Sequence, residues 1–205
     1  ESLLTRPAPP QDSPAFNTSQ FLGLCKTVRS SLDAARYKHV LGVARAAERL
    51  ARRYGVSTTK ARLAALLHDI ARLWPAEQLL LYAREHGLRT TPNEEAAPVL
   101  LHARVGAEIA RRTYGINDPE TLAAIEQHTV AVPGMSDLAK ILYIADSIEP
   151  SRTFAGRAAL AAQAERSLDE GLLACIAASM EYLSNKGVAL APETDALYHE
   201  LKSTQ

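Results

Sequence analysis

A histidine and an aspartate stand side by side at His68 and Asp69, within the apolar run LLHDIA of residues 66–71. A carboxylate buried beside an imidazole costs free energy unless a positive partner accompanies it, and a metal cation is one such partner. On a helix, neighbouring side chains diverge by about 100°, so these two can converge only near the inner edge of the helix. Alone, the pair is weak evidence, because adjacent His-Asp pairs often arise by chance and a partly exposed pair would have no special role.

Four more nitrogen or oxygen donors lie in other predicted helices, mostly among apolar neighbours: His39, His102, His128 and Asp146. Each of them alone is more often a satisfied core or helix-end residue than a metal ligand. Six such donors on five separate segments are hard to attribute to chance, and we interpret them as one metal site. A mixed imidazole and carboxylate set without thiolates favours a first-row ion such as iron, manganese or zinc.

The chain has 205 residues, of which 47% are hydrophobic, enough for one large domain or two small ones with a real core. Its 23 basic and 23 acidic side chains cancel, so no overall positive field favours nucleic acid or anionic lipid as a partner. Cys25 and Cys175 lie far apart without metal-binding spacing, which favours a reducing compartment. No run is apolar enough to span a bilayer, and the first residues lack a signal-peptide pattern, so we expect a cytoplasmic protein.

Helical periodicity and capping residues predict a series of helices, and no stretch shows a strand pattern of similar quality. The predicted helices cover residues 19–32, 34–54, 58–73, 76–86, 98–114, 118–128, 136–148, 157–164, 167–186 and a last segment from about 192. Residues 88–97 are predicted to be a polar loop. Residues 1–18 contain four prolines and are predicted to be a flexible leader. We therefore expect an all-α protein in which residues 19–205 form a single domain of eight or more helices.

The order of the six donors, with the phrases around them, resembles the HD-domain superfamily of metal-dependent phosphohydrolases. The phrases are RYKHVLGVA at 36–44, LLHDIAR at 66–72, LHARVGA at 101–107, HT with PGM between 128 and 135, and IADSIEP at 144–150. Within the superfamily they look like the YqeK-like branch, the symmetrical bis(5′-nucleosyl)-tetraphosphatases. The resemblance covers roughly residues 30–200 and implies an HD-domain-like helical fold.

The resemblance also implies a role for each donor and for three further residues. The residues expected to hold the principal metal are His39, His68, Asp69 and Asp146. That metal is expected to be divalent or trivalent iron, with manganese or another first-row ion as the alternative, and with one or two ions in all. His102 and His128 would face the phosphates or complete a second metal site, and with Asp69 they are the expected catalytic residues. The expected nucleotide and phosphate contacts are His39, Asp69, His102, His128, Thr129, Asp146, Arg152 and Thr194.

The activity that the resemblance implies is hydrolysis of diadenosine tetraphosphate into two ADP molecules by a metal-activated water. Arg152 would offset charge on the phosphate oxygens, with Lys140 or Arg72 as further candidates. We expect this dinucleoside polyphosphate and its ADP product as partners, expect no nucleic acid or membrane, and leave a homodimer open. Two alternatives stay open: a phosphohydrolase acting on a nucleoside mono- or triphosphate or a guanosine alarmone, and a module that binds metal and nucleotide without useful turnover.

The chain departs from the branch at several positions around the expected site. Ala131 and Val132 stand where the branch usually has Gly-Arg, so a positive charge near the site is missing. Ser147 replaces a usual tyrosine, Ser151 a usual glycine and Arg72 a usual lysine. None of these positions is an expected metal ligand, so the departures concern substrate preference and rate.

Single substitutions should separate the expected ligands from the two other histidines. His68→Ala and Asp146→Ala should abolish metal content and turnover while leaving the helical circular dichroism signal largely intact, because each removes a ligand. His86→Ala and His199→Ala, at a helix end and near the C-terminus, should do little. Metal analysis and a hydrolysis assay check this; equal losses in all four variants would show that the grouping of histidines is wrong.

Overall fold

A computed structural model describes residues 18–204, which form eleven α-helices and one short 3₁₀-helix, with no strand in this range. The α-helices are α1 (Thr18–Ser31), α2 (Ala34–Tyr54), α3 (Thr58–Leu67), α4 (Ala76–Glu85), α5 (Pro92–Ala96), α6 (Leu101–Tyr114), α7 (Pro119–Gln127), α8 (Asp137–Ile148), α9 (Arg157–Arg166), α10 (Leu168–Asn185) and α11 (Pro192–Ser203). The expected all-α fold is confirmed. The predicted leader over 1–18 lies outside the described residues, apart from Thr18 at the start of α1. None of the helices described is long and apolar enough to cross a lipid bilayer.

Helix α8 lies at the centre of the core. Its sequence, DLAKILYIADSI, is apolar on nearly all sides, which is typical of a helix surrounded by other elements. It packs against α2, α3, α7, α9 and α10, and Leu138, Ile141 and Ile144 are fully buried along it. Asp146, near the C-terminal end of α8, is therefore a charged group at the edge of an apolar core.

Polar side chains cap the N-termini of α2, α3, α7 and α8, whereas α6, which carries His102, has no side-chain cap. The Asp33 side chain accepts a hydrogen bond of 2.7 Å from the backbone N–H of Arg36 and caps α2. Asp118 caps α7 in the same way through the N–H of Thr121, at 2.8 Å. Such caps satisfy backbone N–H groups that have no partner within the helix. They are local signals, which is why the sequence locates the starts of these helices.

The predicted third helix, 58–73, is shorter in the structure. Helix α3 ends at Leu67, and the segment after it forms successive tight turns. Their backbone hydrogen bonds reach back three residues, as from the N–H of Ile70 to the carbonyl of Leu67 at 3.1 Å. This pattern winds the chain more tightly than an α-helix does. His68 and Asp69 therefore lie on a turn. The angle between their side chains is not fixed at the value of about 100° that an α-helix imposes on adjacent residues.

The predicted polar loop at 88–97 contains the single-turn helix α5. Thr91 and Glu94 form a capping box around it: the Thr91 hydroxyl accepts from the Glu94 N–H at 3.3 Å, and a Glu94 oxygen accepts from the Thr91 N–H at 2.8 Å. Glu94 also accepts from Nη1 of Arg104 at 2.9 Å, which ties α5 to α6. Because α5 has only one turn, it shows no hydrophobic periodicity from which it could have been predicted.

The predicted helix over 98–114 differs at its start. Its first turn is the 3₁₀-helix Pro98–Leu100, and the α-helix begins at Leu101.

The close packing of α9 on α10 depends on Gly171. A Cβ atom at this position would lie 2.6 Å from the Cα atom of Ala164, so a larger side chain cannot fit without moving a helix. Gly171→Ala should lower the free energy of unfolding by about 1–3 kcal/mol through overpacking. Gly23→Ala, inside α1 with open space around Cβ, should raise it by about 0.5–1 kcal/mol. Urea denaturation of both variants measures the difference, and equal stabilities would contradict this account.

Candidate metal centre

All six predicted donors meet at one centre, where five segments of the chain converge. The donors and their positions are His39 on α2, His68 and Asp69 on the turn after α3, His102 on α6, His128 at the C-terminal end of α7, and Asp146 on α8. Five of the six residues are buried, and Asp146 keeps a side-chain exposure of 21%. The expectation that these residues lie together is therefore met by the structure.

Asp69 lies in the middle, with a different pair of imidazoles on each oxygen. Its Oδ2 atom is 3.6 Å from Nε2 of His39 and 3.3 Å from Nε2 of His68. Its Oδ1 atom is 3.1 Å from Nε2 of His102 and 3.7 Å from Nε2 of His128. One carboxylate thus connects two halves of the centre.

Asp146 adds a second carboxylate on the side of His39 and His68. Its Oδ1 atom lies 3.0 Å from Nε2 of His39 and 4.0 Å from Nε2 of His68. The donor atoms of these three residues lie within 4.8 Å of one another, as do those of His68, Asp69 and His128. Because His68 belongs to both groups, the geometry accommodates one cation or two neighbouring ones.

Each of the four imidazoles is oriented by an acceptor at Nδ1. In His39 this nitrogen is 2.9 Å from Oε1 of Glu149. In His68, His102 and His128 it lies 2.6, 2.5 and 2.7 Å, respectively, from the backbone carbonyl three residues earlier. A carbonyl or ionised carboxylate can only accept, so Nδ1 carries the ring proton in every case. The four Nε2 atoms, which face the centre, are left to bind a proton or a cation.

Two of these Nε2 atoms have no hydrogen-bond partner within the protein. They belong to His39 and His68, and both are buried. A buried polar atom without a partner costs about 1–3 kcal/mol, a cost that a bound cation would remove. The Nε2 atoms of His102 and His128 are 3.1 Å apart, a distance at which two lone pairs repel. Imidazole and carboxylate donors arranged in this way fit a metal cation of the first transition row.

Both carboxylates remain ionised in spite of their burial. Burial raises the pKa of Asp69, but the charge of His68 and the neighbouring imidazoles outweigh it and hold this pKa well below its usual range. Burial also raises the pKa of Asp146, and the His39 ring, whose Nε2 lies 3.0 Å away, lowers it overall together with the charges of His68 and Arg152. Two negative charges with little access to water make the centre strongly attractive to cations.

His68 and His128 respond differently to these charges. Burial lowers the pKa of His68, but the charges of Asp69 and Asp146 more than reverse this and raise it to about 9. The pKa of His128 is lowered, chiefly by burial. A proton on Nε2 of His68 occupies the lone pair that a metal would need, so metal binding has to displace that proton.

Two arginines contact the carboxylates from the solvent side. Nη1 of Arg36 lies 2.7 Å from Oδ2 of Asp69, and Nη2 of Arg152 lies 2.6 Å from Oδ1 of Asp146. Both arginines line an open pocket of about 230 Å³ that reaches His39. An anionic group in this pocket would meet two guanidinium groups at the edge of the donor cluster, and guanidinium groups pair well with phosphate.

Comparison with protein families assigns the chain. The model of the HD domain matches residues 36–151, more than half of the chain. The chain belongs to the HD domain family. The matched segment contains all six donors, from His39 to Asp146, and ends one residue before Arg152.

Two curated relatives of this HD domain protein, each similar to it over most of its length, carry the same name. A protein of Bacillus subtilis (strain 168), named bis(5′-nucleosyl)-tetraphosphatase, symmetrical, is 38% identical over 181 residues, covering 86% of this chain and 94% of the relative. A protein of Halalkalibacterium halodurans with the same name is 36% identical over 174 residues, covering 85% and 92%. A crystal structure of a predicted HD superfamily hydrolase involved in NAD metabolism, from Clostridium acetobutylicum, superposes with a TM-score of 0.86. It is 36% identical in sequence, and the match covers 90% of this chain and 98% of that one.

The two threonines predicted to contact nucleotide are placed differently in this HD domain. Thr129 follows His128 directly and is partly exposed. Thr194 is 2% exposed, and its hydroxyl donates to the backbone carbonyl of Ala131 at 2.9 Å. This bond ties the start of α11 to the loop after α7, so the hydroxyl proton of Thr194 is used within the protein. Its contact with nucleotide stays a prediction.

Three other side chains considered from the sequence contact different parts of the HD domain. Nζ of Lys140 lies 2.7 Å from Oδ1 of Asp169 and joins α8 to α10 at the surface. The ring of His86 stacks on Tyr82 with their centroids 3.8 Å apart. His199 is exposed on α11. None of these three side chains reaches the donor cluster.

Two charged residues at the centre received no role from the sequence: Arg36 and Glu149. Arg36 lies three residues before His39 on α2, and Glu149 lies three residues after Asp146. Residues three apart lie on one face of a helix, so the spacing of these two residues from expected metal ligands is the sequence signal that could have identified them. Charged residues are mostly exposed, so their type alone pointed to the surface.

Proposed function

We propose that this chain is a metal-dependent hydrolase that cleaves diadenosine tetraphosphate symmetrically into two ADP molecules. The observation that carries the proposal is the buried centre: it has two imidazole nitrogens without a hydrogen-bond partner, and one of those rings, His39, lines a pocket together with two arginines. The choice of substrate is supported by relatives named symmetrical tetraphosphatases, which this chain matches over 94% and 92% of their length.

The metal in this proposal is iron, with manganese or another first-row ion as the alternative. The residues that would hold it are His39, His68, Asp69 and Asp146. The donor set supports such an ion because it mixes nitrogen and oxygen and contains no thiolate. When bound, a cation supplies Lewis acidity to a phosphoryl oxygen and lowers the pKa of the water that it binds. The second donor group, His68, Asp69 and His128, could hold a second ion.

Arg36 and Arg152 offset the charge of the substrate. A tetraphosphate chain is rich in negative charge, and that charge shifts among its oxygens during attack on phosphorus, so fixed positive groups lower the barrier. In the structure each guanidinium is paired with a carboxylate of the donor cluster, Arg36 with Asp69 and Arg152 with Asp146, so both lie at its edge. In the proposed complex each donates hydrogen bonds to phosphate oxygens instead, with Arg152 on the side of α8 and Arg36 on the side of α2.

His102, His128 and Asp69 handle the proton of the attacking water. The water oxygen bonds to a middle phosphorus while the bridging P–O bond breaks, so one ADP leaves with the bridging oxygen. The water must lose a proton, and an Nε2 lone pair of His102 or His128 can accept it. Both lone pairs face Oδ1 of Asp69, which can hold the water between them. Because backbone carbonyls fix both rings at Nδ1, neither ring has to turn.

The proposal also places the reaction in the cytoplasm and in a single domain over residues 19–205. Cys25 and Cys175 are both free thiols, as expected in a reducing compartment. One hydrophobic core runs from Leu24 on α1 to Leu201 on α11. A continuous core across the described helices supports one catalytic unit.

Product analysis tests the proposed reaction. Diadenosine tetraphosphate is incubated with the purified protein and iron or manganese, with chelator-treated protein and the His68→Ala variant as controls. We expect metal-dependent formation of ADP as the sole product. Formation of AMP and ATP would keep a metal hydrolase and refute symmetrical cleavage. No turnover by metal-loaded protein would favour another phosphate substrate or a nucleotide-binding module.

Arg36 gives a second test, directed at the phosphate contacts. Arg36→Met should lower kcat/KM for the tetraphosphate about 100-fold, because a fixed charge facing the reacting phosphates is removed. Arg36→Lys should keep part of the activity, since it retains the charge but loses the two-pronged geometry. Arg45→Met, an exposed position on the same helix, is the matched control. Metal content is measured in parallel; unchanged kcat/KM in Arg36→Met would exclude the role.

A further inference from the structure

Glu149 is a buried carboxylate that the proposed reaction does not use. It follows the last residue of α8 directly and is 1% exposed. A buried carboxylate costs free energy unless hydrogen bonds or charges compensate it. Its contacts therefore indicate what the residue does.

Both oxygens of Glu149 face hydrogen-bond donors from two neighbours. Oε1 accepts from Nδ1 of His39 at 2.9 Å and from the hydroxyl of Ser151. Oε2 accepts from the backbone N–H of Ser151 at 2.8 Å. A glutamine could not replace this carboxylate, because its NH₂ group would face a donor in either orientation. The hydroxyl is that of the Ser151 side chain.

Gly42 gives the Glu149 carboxylate its space. It lies three residues after His39 on α2 and on the same face of that helix. A Cβ atom at position 42 would lie 2.5 Å from Oε2 of Glu149, closer than two such atoms can approach. The absence of a side chain at Gly42 is thus what allows the carboxylate to reach the His39 ring.

His39 is oriented differently from the other three imidazoles of the centre. Their Nδ1 atoms face backbone carbonyls three residues earlier in the chain, whereas that of His39 faces a side chain 110 residues away. A carboxylate behind a metal-binding histidine fixes its tautomer and makes its other nitrogen a stronger ligand. His39 is one of the two rings whose Nε2 lacks a partner.

We propose that Glu149 is a positioning residue for the metal centre: it holds the Nδ1–H of His39 so that Nε2 faces the metal, and Gly42 and Ser151 hold Glu149 in place. The inference rests on the metal site of the proposed function, and it adds residues that are not ligands. Glu149 is not a metal ligand in this proposal and acts on the centre through His39.

Manganese binding by the purified full chain tests the inference. Mn²⁺ affinity is measured by competition with a chelator in the wild type, Glu149→Gln, Glu149→Ala and the exposed control Glu181→Gln. We expect about 10–100-fold weaker binding in the two Glu149 variants, which is the usual effect of removing such a partner, and no change in the control. Ring nitrogen chemical shifts of metal-free protein should show Nδ1–H on His39 in the wild type and a mixture of tautomers in Glu149→Ala.

Gly42→Ala keeps every ligand as well as Glu149, and so serves if the Glu149 variants do not fold. The added methyl displaces the carboxylate and should weaken Mn²⁺ binding about 10-fold. Folded Glu149 or Gly42 variants with wild-type affinity and an unchanged His39 tautomer would overturn the inference. Failure of the wild type to bind Mn²⁺ or iron is a different result, because it would overturn the proposed metal site itself.

Discussion

The negative charge of a buried carboxylate, Asp69, has to be compensated by groups from several segments of the chain. Asp69 is 3% exposed and has two imidazole nitrogens near each of its oxygens. An ionised carboxylate with so little exposure to solvent is stable only if positive groups surround it in a fixed arrangement. Four segments of the chain supply those groups: α2, the turn after α3, α6 and the end of α7. A metal cation at the same place would meet the same electrostatic requirement.

The C-terminal ends of three helices add further negative charge at the centre. His68 and His128 are the residues that follow α3 and α7, and Asp146 lies in the last turn of α8. The C-terminal end of a helix carries a partial negative charge, so three such ends directed at one place favour a cation there. The same partial negative charge is unfavourable for the Asp146 carboxylate. His39 and Arg152, which lie beside this carboxylate, compensate for it.

The arginines connect the metal centre with the phosphate chemistry of the proposed reaction. Arg36 and Arg152 each pair with a carboxylate of the centre and line the pocket that leads to it. A cation held by the carboxylates would compete with these pairs, and the guanidinium groups could then pair with an anion. Arg36 and Arg152 are the two arginines among the residues that line this pocket, so its positive charge depends on them.

The helical class, most helix boundaries and the six donor residues could be predicted from the sequence, because periodicity, capping residues and ligand chemistry are local properties. Helix α5 was missed because a single turn shows no periodicity, and His68 and Asp69 were placed inside a helix because no residue type marks the tighter turns after Leu67. Which imidazole faces which oxygen of Asp69 depends on how the helices pack. The tertiary structure also pairs His39 with Glu149, 110 residues apart, because such contacts follow from how α2 packs on α8.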